Sequence, residues 1–238
     1  MNRLKGRIIC VTGGSRGIGL AIASACARDG AQLILVARDG AALAAAARTT
    51  PASATFRSDV TREAEVERLF RGLRRKFKRL DVLVNNAGVF TYKPFARTTP
   101  ADWNKNIATN LTSLYLVTRA ALPLLKRSAA PQIINILSVA SRTAFPNCSA
   151  YCASKFGALG LTRVLADELR PLGIRVTGVL PGATSTRQSS EFGFPVNRSR
   201  LLEPEDAAQA VLAALVQPPR GTMDEILLTP SHDNLSPD

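Results

Sequence analysis

Residues 7–19 read RIICVTGGSRGIG, and this stretch decides the fold. An apolar run, Arg7–Thr12, leads directly into Gly13, Gly17 and Gly19, and helix-forming residues follow. Glycine allows the sharp turn and close backbone approach that a pyrophosphate needs, and the N–H groups at a helix start attract its negative charge. The spacing T-G-x-x-x-G-x-G differs from the common G-x-G-x-x-G, and an ordinary strand–helix turn is the alternative. Its place after the first strand favours nucleotide binding.

Apolar runs and helical stretches alternate along the rest of the chain. This alternation predicts a single Rossmann-like α/β domain over residues 1–238, with a doubly wound, seven-stranded parallel sheet flanked by helices. Ligands of such sheets bind at the carboxyl ends of the strands, and the polar segment 184–202 is predicted to be a lid or substrate loop. The predicted strands are Arg7–Thr12, Gln32–Ala37, Ala54–Ser58, Val82–Asn85, Gln132–Ser138, Arg175–Leu180 and Glu225–Thr229. The predicted helices are Gly17–Asp29, Gly40–Arg48, Thr61–Phe77, Ala101–Lys126, Ser149–Leu172 and Pro204–Val216.

Composition excludes several classes of protein. The sequence contains 46% hydrophobic and 21% charged residues and no apolar run of the ~18 residues that a membrane span needs. Without a signal-peptide cleavage site near its start, we expect a cytoplasmic protein. The single histidine, His232, lies in the tail, which argues against a Ser-His-Asp triad or a histidine-based metalloprotease. Four cysteines form no C-x-x-C pair, so we expect buried reduced thiols and no metal site.

The formal net charge of +13 is unusual. A solvated basic face on the helix that contains Arg68–Arg79 is the simplest interpretation, and steering of phosphate-rich ligands or contact with nucleic acid are the alternatives. No zinc finger, basic zipper or aromatic RNA-binding motif accompanies the charge. We therefore expect no nucleic-acid partner.

The end of the second predicted strand indicates which dinucleotide binds. A carboxylate there usually holds an adenosine 2′-hydroxyl, whereas a 2′-phosphate requires arginine. Arg38 occupies this position, and Arg16 projects from the glycine turn toward the same pocket. Asp39 could instead bind an unmodified ribose. The two arginines favour NADP(H), with a cofactor site that includes the turn residues Gly13, Ser15, Arg16, Gly17, Ile18 and Gly19.

Tyr151 and Lys155 stand four residues apart at the start of a predicted helix, and therefore on one face of it. A nearby ammonium group favours the phenolate form, and so does the positive charge of an oxidised nicotinamide. We therefore expect Lys155 and the cofactor to bring the pKa of Tyr151 from about 10 toward neutral pH. Such a phenol could act as a general acid or base. A surface pair is the alternative. Ser138, at the end of the fifth predicted strand, could hydrogen-bond a substrate carbonyl, with Ser141 as a possible substitute.

These motifs, in this order, resemble the short-chain dehydrogenase/reductase family over nearly the whole chain. The matching stretches are TGGSRGIG at 12–19, DV at 59–60, NNAG at 85–88, Asn110, Ser138, YCASK at 151–155 and PG at 181–182. The resemblance implies that Tyr151 transfers the proton while Ser138 positions the substrate carbonyl or alcohol. It further implies that Lys155 binds the nicotinamide ribose and that Asn110 holds a water in a proton relay. The implied cofactor contacts are Asp59 and Val60 to adenine, Asn86, Ala87 and Gly88 to the adenosine ribose, and Pro181, Gly182 and Thr186, or less strongly Thr184, to nicotinamide.

The resulting hypothesis is a hydride transfer between NADP(H) and a carbonyl or secondary-alcohol substrate, acting as a ketone or aldehyde reductase. A non-catalytic NADP(H)-binding regulatory protein is the alternative. The resemblance also implies a homodimer through the helices at 101–126 and 149–172, whereas the final strand, MDEILLTPSHDN, departs from the family pattern that builds tetramers. Substrate choice is expected to depend on Thr91–Ala96, Ala140–Ser149 and the lid.

Overall fold

Seven parallel strands flanked by helices form the centre of the protein in a computed structural model that describes residues 2–186 and 197–231. The strands in this part of the chain are β1 Ile8–Thr12, β2 Gln32–Ala37, β3 Ala54–Arg57, β4 Val82–Asn85, β5 Gln132–Ile136, β6 Arg175–Pro181 and β7 Glu225–Leu228. Its α-helices are α1 Gly17–Arg28, α2 Gly40–Thr49, α3 Glu63–Lys76, α4 Pro100–Ile107, α5 Ser113–Leu125, α6 Ser149–Leu169 and α7 Pro204–Leu215.

The strand order confirms the predicted doubly wound sheet. It runs β3-β2-β1-β4-β5-β6-β7, with every neighbouring pair parallel. The order reverses at β1, whose two neighbours are β2 and β4. The connections after β1 and β4 therefore leave toward opposite faces of the sheet, and a crevice opens between them at the carboxyl ends of the strands.

The strand residues separate two apolar layers. In β1, Ile9 and Val11 face a core that includes residues of α1 and α7, while Ile8 and Cys10 face a core built with α3 and α5. This alternation follows from the two-residue period of a strand. Because both faces of β1 are covered, all five of its residues are buried, as a near-continuous apolar run predicts.

Most predicted boundaries agree with the structure to within two residues, and three elements show informative differences. β5 ends at Ile136 instead of Ser138, because Ser138 begins a 3-10 turn over Val139–Ser141 and its hydroxyl accepts a hydrogen bond from the Ala140 N–H at 3.1 Å. The α-helical part of the sixth helix ends at Leu169 and continues as a 3-10 turn through Leu172. The third difference lies between α4 and α5.

The predicted continuous helix Ala101–Lys126 is wrong, because a π-helical turn over Ala108–Thr112 separates α4 from α5. Asn110 lies in this turn, and its side chain bonds residues outside the helix instead of pointing along it. Single π-turns within α-helices are frequent at functional sites. A hydrophobic repeat cannot reveal such an insertion of one residue.

Three further expectations concern the cysteines, a membrane-spanning helix and the lid. All four cysteines are free and buried, which confirms the prediction of buried thiols. Among the described residues, none of the helices has the length and apolar character that a membrane span requires. The predicted lid at 184–202 falls largely outside the described residues. Of its flanks, Thr184 pairs with Leu202 in an isolated parallel bridge.

A buried carboxylate joins the amino ends of two central strands. Asp81, which is 5% exposed, accepts hydrogen bonds from the Ser128 hydroxyl at 2.5 Å, Arg79 at 2.8 Å and the Ile8 N–H at 2.8 Å. Burial alone would raise the pKa of Asp81, but the hydrogen bonds from Ser128, Arg79 and Ile8 outweigh burial and hold this pKa below its ordinary value. The folded protein is therefore stabilised by the charged form.

We predict that Asp81→Ala lowers the free energy of unfolding by about 2–3 kcal/mol at neutral pH, because the buried Ile8 N–H and the Arg79 guanidinium lose their acceptor. The matched control is Asp167→Ala, since Asp167 is a carboxylate whose side chain is 85% exposed, and it is expected to change little. Urea unfolding of both variants measures the difference.

The same experiment has a defined pH dependence. Because the pKa of Asp81 is lowered by folding, its contribution is present above the unfolded value of about 3.9 and is lost as the pH falls further. The stability gap between wild type and Asp81→Ala should narrow in acid, and a gap that is independent of pH would contradict the role of the carboxylate.

Candidate active site

A cavity of about 530 Å³ lies at the carboxyl ends of the strands, where the topology predicts a ligand site. It is bordered by the connections that follow β1 to β6. Of the predicted site residues, it is lined by Gly13, Ser15, Arg16, Gly17, Ile18, Arg38, Asp59, Val60, Asn86, Ala87, Gly88, Ser138, Tyr151, Lys155, Pro181, Gly182, Thr184 and Thr186. Gly19 and Asn110 do not line it.

The glycine turn is fastened to the loop after β4. The Asn86 amide donates to the main-chain carbonyls of Thr12 at 3.0 Å and Gly13 at 3.2 Å, and the Thr12 hydroxyl accepts from the Asn86 and Ala87 N–H groups. A Cβ on Gly19 would overlap the Gly13 carbonyl and the Asn86 amide. Gly19 therefore allows α1 to pack against the turn, and its contact with pyrophosphate stays a prediction.

The start of α1 is suited to an anion. Its N-cap residue, Arg16, makes no side-chain capping bond, so the first N–H groups of the helix lack a side-chain acceptor. Gly13 and Gly17 adopt φ values of 63° and 54°, which favour glycine, and a Cβ on Gly13 would lie 2.9 Å from the Asn86 amide nitrogen. These features fit a pyrophosphate at the helix start.

Two arginines and two carboxylates line the cavity where it is bordered by the connections after β1, β2 and β3. Asp39 accepts a hydrogen bond from the Ala42 N–H, which caps α2, and pairs with Arg16 at 2.8 Å. Arg38 lies 4.0 Å from the Asp59 carboxylate. The side chains of Arg16 and Arg38 are 49% and 59% exposed, so both guanidinium groups remain open to a ligand at the rim.

Tyr151, Lys155 and Ser138 meet at the inner end of the cavity. Tyr151 lies in the first turn of α6, and its side chain lines the same cavity as Ser138, which favours the phenolate form of Tyr151. The Lys155 ammonium donates to the Ile136 main-chain carbonyl at 3.0 Å, and its nitrogen lies 5.9 Å from the centre of the Tyr151 ring. The structure thus brings together the three residues that the sequence singles out.

The expected effect of Lys155 on the pKa of Tyr151 is wrong, whereas the effect of an oxidised nicotinamide stays a prediction. Burial raises the pKa of Tyr151 to about 12, against the smaller opposing effect of Ser138. Burial also lowers the pKa of Lys155 to about 8, which weakens this lysine as a source of positive charge. The phenol therefore stays protonated at neutral pH.

Asn110 does not line the cavity, and its side-chain amide makes three hydrogen bonds to other protein groups. Its carbonyl oxygen accepts from the Val89 N–H at 2.8 Å, and its amide donates to the Val89 carbonyl at 3.0 Å and the Ser154 hydroxyl at 2.9 Å. The side chain thereby ties α6 to the loop after β4. The role of Asn110 in a proton relay, which the family resemblance implies, stays a prediction.

Ser141 does not replace Ser138. It is 1% exposed, does not line the cavity, and its hydroxyl accepts from the Ser138 N–H at 3.3 Å. Ser141 therefore helps to fix the turn that presents Ser138. The strand-end position of a serine could not separate these two roles, because both hydroxyls follow β5 closely.

Some residues of the site had no clear signal in the sequence. Phe90 packs edge-on against Tyr151, with ring centroids 4.8 Å apart, and Cys148 and Cys152 belong to the same apolar cluster. Asn147, with φ of 61°, donates to the Tyr92 hydroxyl at 2.9 Å. The two loops expected to select substrate therefore contact each other. The main-chain carbonyl of Ile136, which binds Lys155, carries no sequence signature at all.

We predict that Gly19→Ala prevents dinucleotide binding, because the new methyl group would displace the turn from Asn86. The control is Gly160→Ala in α6, where a Cβ meets nothing within 4 Å and alanine should stabilise the helix. Fluorescence titration with NADPH measures binding. Wild-type affinity in Gly19→Ala would contradict the packing role.

Comparison with known proteins agrees with this geometry. A sequence profile of the family described as short chain dehydrogenase matches residues 7–193. The chain is 36% identical to 2-(S)-hydroxypropyl-CoM dehydrogenase 3 of Xanthobacter autotrophicus over 90% of its own length and 91% of that protein. It is 33% identical over 95% of its length to glycine betaine reductase of Emericella nidulans, but it spans only 19% of that larger protein.

Two solved structures have the same fold. A metagenomic short-chain oxidoreductase in complex with NADP is 34% identical, with a TM-score of 0.84 over 97% of this chain and 100% of that one. A 3-ketoacyl-(acyl-carrier-protein) reductase from Brucella melitensis complexed with NADH is 29% identical, with a TM-score of 0.85 over 94% and 96% of the two chains. With its glycine turn, its serine–tyrosine–lysine cluster and its match over most of the chain, the protein belongs to the short-chain dehydrogenase/reductase family of oxidoreductases.

Proposed function

We propose that this protein is an NADP(H)-dependent oxidoreductase that interconverts a carbonyl compound and a secondary alcohol, and that it acts mainly as a ketone or aldehyde reductase. The observation that carries the proposal is that Ser138, Tyr151 and Lys155 line one cavity, with Lys155 one helical turn after Tyr151 on α6. Cellular NADP pools are usually reduced, which favours the direction of reduction.

In reduction, the bound nicotinamide supplies the hydride. Tyr151 donates the proton to the carbonyl oxygen as negative charge develops there, and the Ser138 hydroxyl donates a hydrogen bond to the same oxygen. A phenol with a pKa raised to about 12 is fully protonated at neutral pH and is therefore ready to donate. In oxidation, Tyr151 accepts the alcohol proton.

In addition to carrying a charge, Lys155 is proposed to position the cofactor. An ammonium group has three N–H donors, and the Ile136 carbonyl uses one of them. The others are proposed to hold the hydroxyls of the nicotinamide ribose. Asn110 is proposed to act through its π-helical turn, whose main chain would hold a relay water near Lys155.

The remaining cofactor contacts are proposed from positions along the cavity wall. The start of α1 holds the pyrophosphate, and Asp59 and Val60 contact adenine. Asn86, Ala87 and Gly88 border the adenosine ribose. Pro181 and Gly182 pack against nicotinamide, whose carboxamide binds Thr186 or, less favourably, Thr184.

NADP(H) is favoured over NAD(H) by the charges at the rim. Arg16 and Arg38 can both reach a 2′-phosphate, whereas Asp39 already caps α2 and pairs with Arg16. A carboxylate committed in this way is less available to the hydroxyls of an unmodified ribose. The related structure with bound NADP supports this choice, although another relative binds NADH.

Exposed aromatic and aliphatic side chains support a homodimer. Trp103 on α4, Tyr115 on α5, and Phe156 and Val164 on α6 are each more than 40% exposed. Large apolar groups on adjoining helices are typical of a surface that another subunit covers. We propose that α4, α5 and α6 form this interface, with a tetramer as the larger alternative.

We predict that Tyr151→Phe reduces turnover by about 10²–10⁴-fold while NADPH affinity changes little, because the ring remains and only the proton donor is lost. The control is Tyr115→Phe, which removes a phenol that does not line the cavity and leaves the aromatic ring in place at the proposed interface. Oxidation of NADPH is followed by its absorbance with a panel of ketones and aldehydes. Unchanged turnover in Tyr151→Phe would contradict the assignment.

The same assay separates the two candidate functions. If wild type binds NADPH tightly and reduces no member of a broad panel, the non-catalytic regulatory function is favoured instead.

We further predict that Arg38→Ala raises KM for NADPH by about 10–150-fold, the equivalent of one charge-assisted hydrogen bond of about 1.5–3 kcal/mol. KM for NADH should change little. Arg48→Ala removes an exposed arginine of α2 and serves as the control for net charge. Equal increases in KM for both cofactors in Arg38→Ala would contradict a 2′-phosphate contact.

A further inference from the structure

The exposed side of α3 and the segment after it form a strongly basic surface. We define the basic face by its seven cationic residues, Arg68, Arg71, Arg74, Arg75, Lys76, Lys78 and Arg79, between which the sequence has no acidic residue. All seven are exposed. Within the described residues, the only one of them that pairs with a carboxylate is Arg79, which contacts Asp81.

The helix directs these charges away from the protein. The apolar side of α3, made of Val66, Leu69, Phe70 and Leu73, is buried in the core. Arg68, Arg71 and Arg75 follow at intervals of three and four residues on the opposite side. They form a row about 10 Å long. Like charges at such spacings destabilise a helix, so the row weakens folding unless anions neutralise it.

Neighbouring segments extend the basic face. Arg127 donates to the Lys78 main-chain carbonyl at 3.4 Å, which brings Lys126 and Arg127 beside it. Arg79 donates to the Gly6 carbonyl at 3.1 Å, next to Lys5. These contacts lie at the amino ends of the strands, at the opposite edge of the sheet from the cavity. The surface is therefore separate from the proposed cofactor site.

We propose that the basic face binds the sugar-phosphate backbone of double-stranded nucleic acid without reading its sequence. Five of its seven cations are arginines, whose planar groups match phosphate oxygens in pairs. Binding to the backbone requires no recognition motif, only a cationic surface. The missing motifs therefore exclude sequence-specific recognition but leave this mode open.

Other polyanions fit the basic face less well. The apolar side of α3 is buried in the core, and the large exposed apolar side chains of the described residues lie elsewhere. The basic face therefore has no large apolar side chain that could insert into a membrane. The basic face also contains no exposed aromatic residue on which the bases of a single strand could stack.

The test is the salt dependence of binding to a short fluorescent DNA duplex, measured by anisotropy. The triple variant Arg68→Gln, Arg71→Gln, Arg75→Gln should bind at least tenfold more weakly at low salt. Its slope of log K against log salt should be lower in magnitude by about 2–3, since each lost phosphate contact contributes about 0.9. The control, Arg28→Gln, Arg48→Gln, Arg220→Gln, removes the same charge from other exposed positions and should retain most of the slope.

Single-stranded DNA of equal length and vesicles of phosphatidylserine are measured in parallel. Neither triple variant should melt below wild type or lose NADPH affinity, which shows that both fold. Preferential loss of duplex binding in the α3 variant supports the proposal. Equal losses in both variants, tighter binding to single strands, binding to vesicles alone, or no salt-dependent binding by wild type would each overturn it.

Discussion

The Lys155 ammonium is buried at the inner end of the cavity, where it donates to the main-chain carbonyl of Ile136. This bond joins α6 to the last residue of β5. Because Tyr151 precedes Lys155 by one helical turn and Ser138 follows Ile136 by two residues, the same bond places the phenol next to the serine hydroxyl. Burial of the lysine lowers its pKa to about 8, so the ammonium form is held only weakly near neutral pH.

The position of this cluster depends on the topology of the sheet. Reversal of strand order beside β1 opens a crevice, and the Asn86 amide holds the glycine turn to the loop after β4 across it. The start of α1 then faces one end of the cavity while Tyr151 faces another. A dinucleotide bound along the crevice can therefore have its phosphates at the helix and its reactive ring near the phenol.

Much of this arrangement could be predicted from the sequence, because periodic apolar runs and motifs at strand ends have local causes. Such local signals mark the strands, the glycine turn, Arg38, Ser138, Tyr151 and Lys155. No local signal marks the π-turn at Asn110, the packing role of Gly19 or the Ile136 carbonyl, because each depends on contacts between distant segments. The sequence does not reveal the raised pKa of Tyr151 for a related reason. Spacing along a helix gives the distance to a lysine but not the extent of burial.

The central claim is that burial raises the pKa of the Tyr151 phenol above its ordinary value and that a bound oxidised cofactor lowers it. NMR titration of tyrosine labelled with ¹³C at the ring carbon that bears the hydroxyl tests this most directly, with Tyr151 assigned by comparison with the Tyr151→Phe spectrum. We predict that Tyr151 titrates well above the ordinary value of about 10 without cofactor and at lower pH with NADP⁺ bound, since positive charge favours phenolate. A pKa at or below 10 in the free protein, or one that NADP⁺ leaves unchanged, would contradict the account.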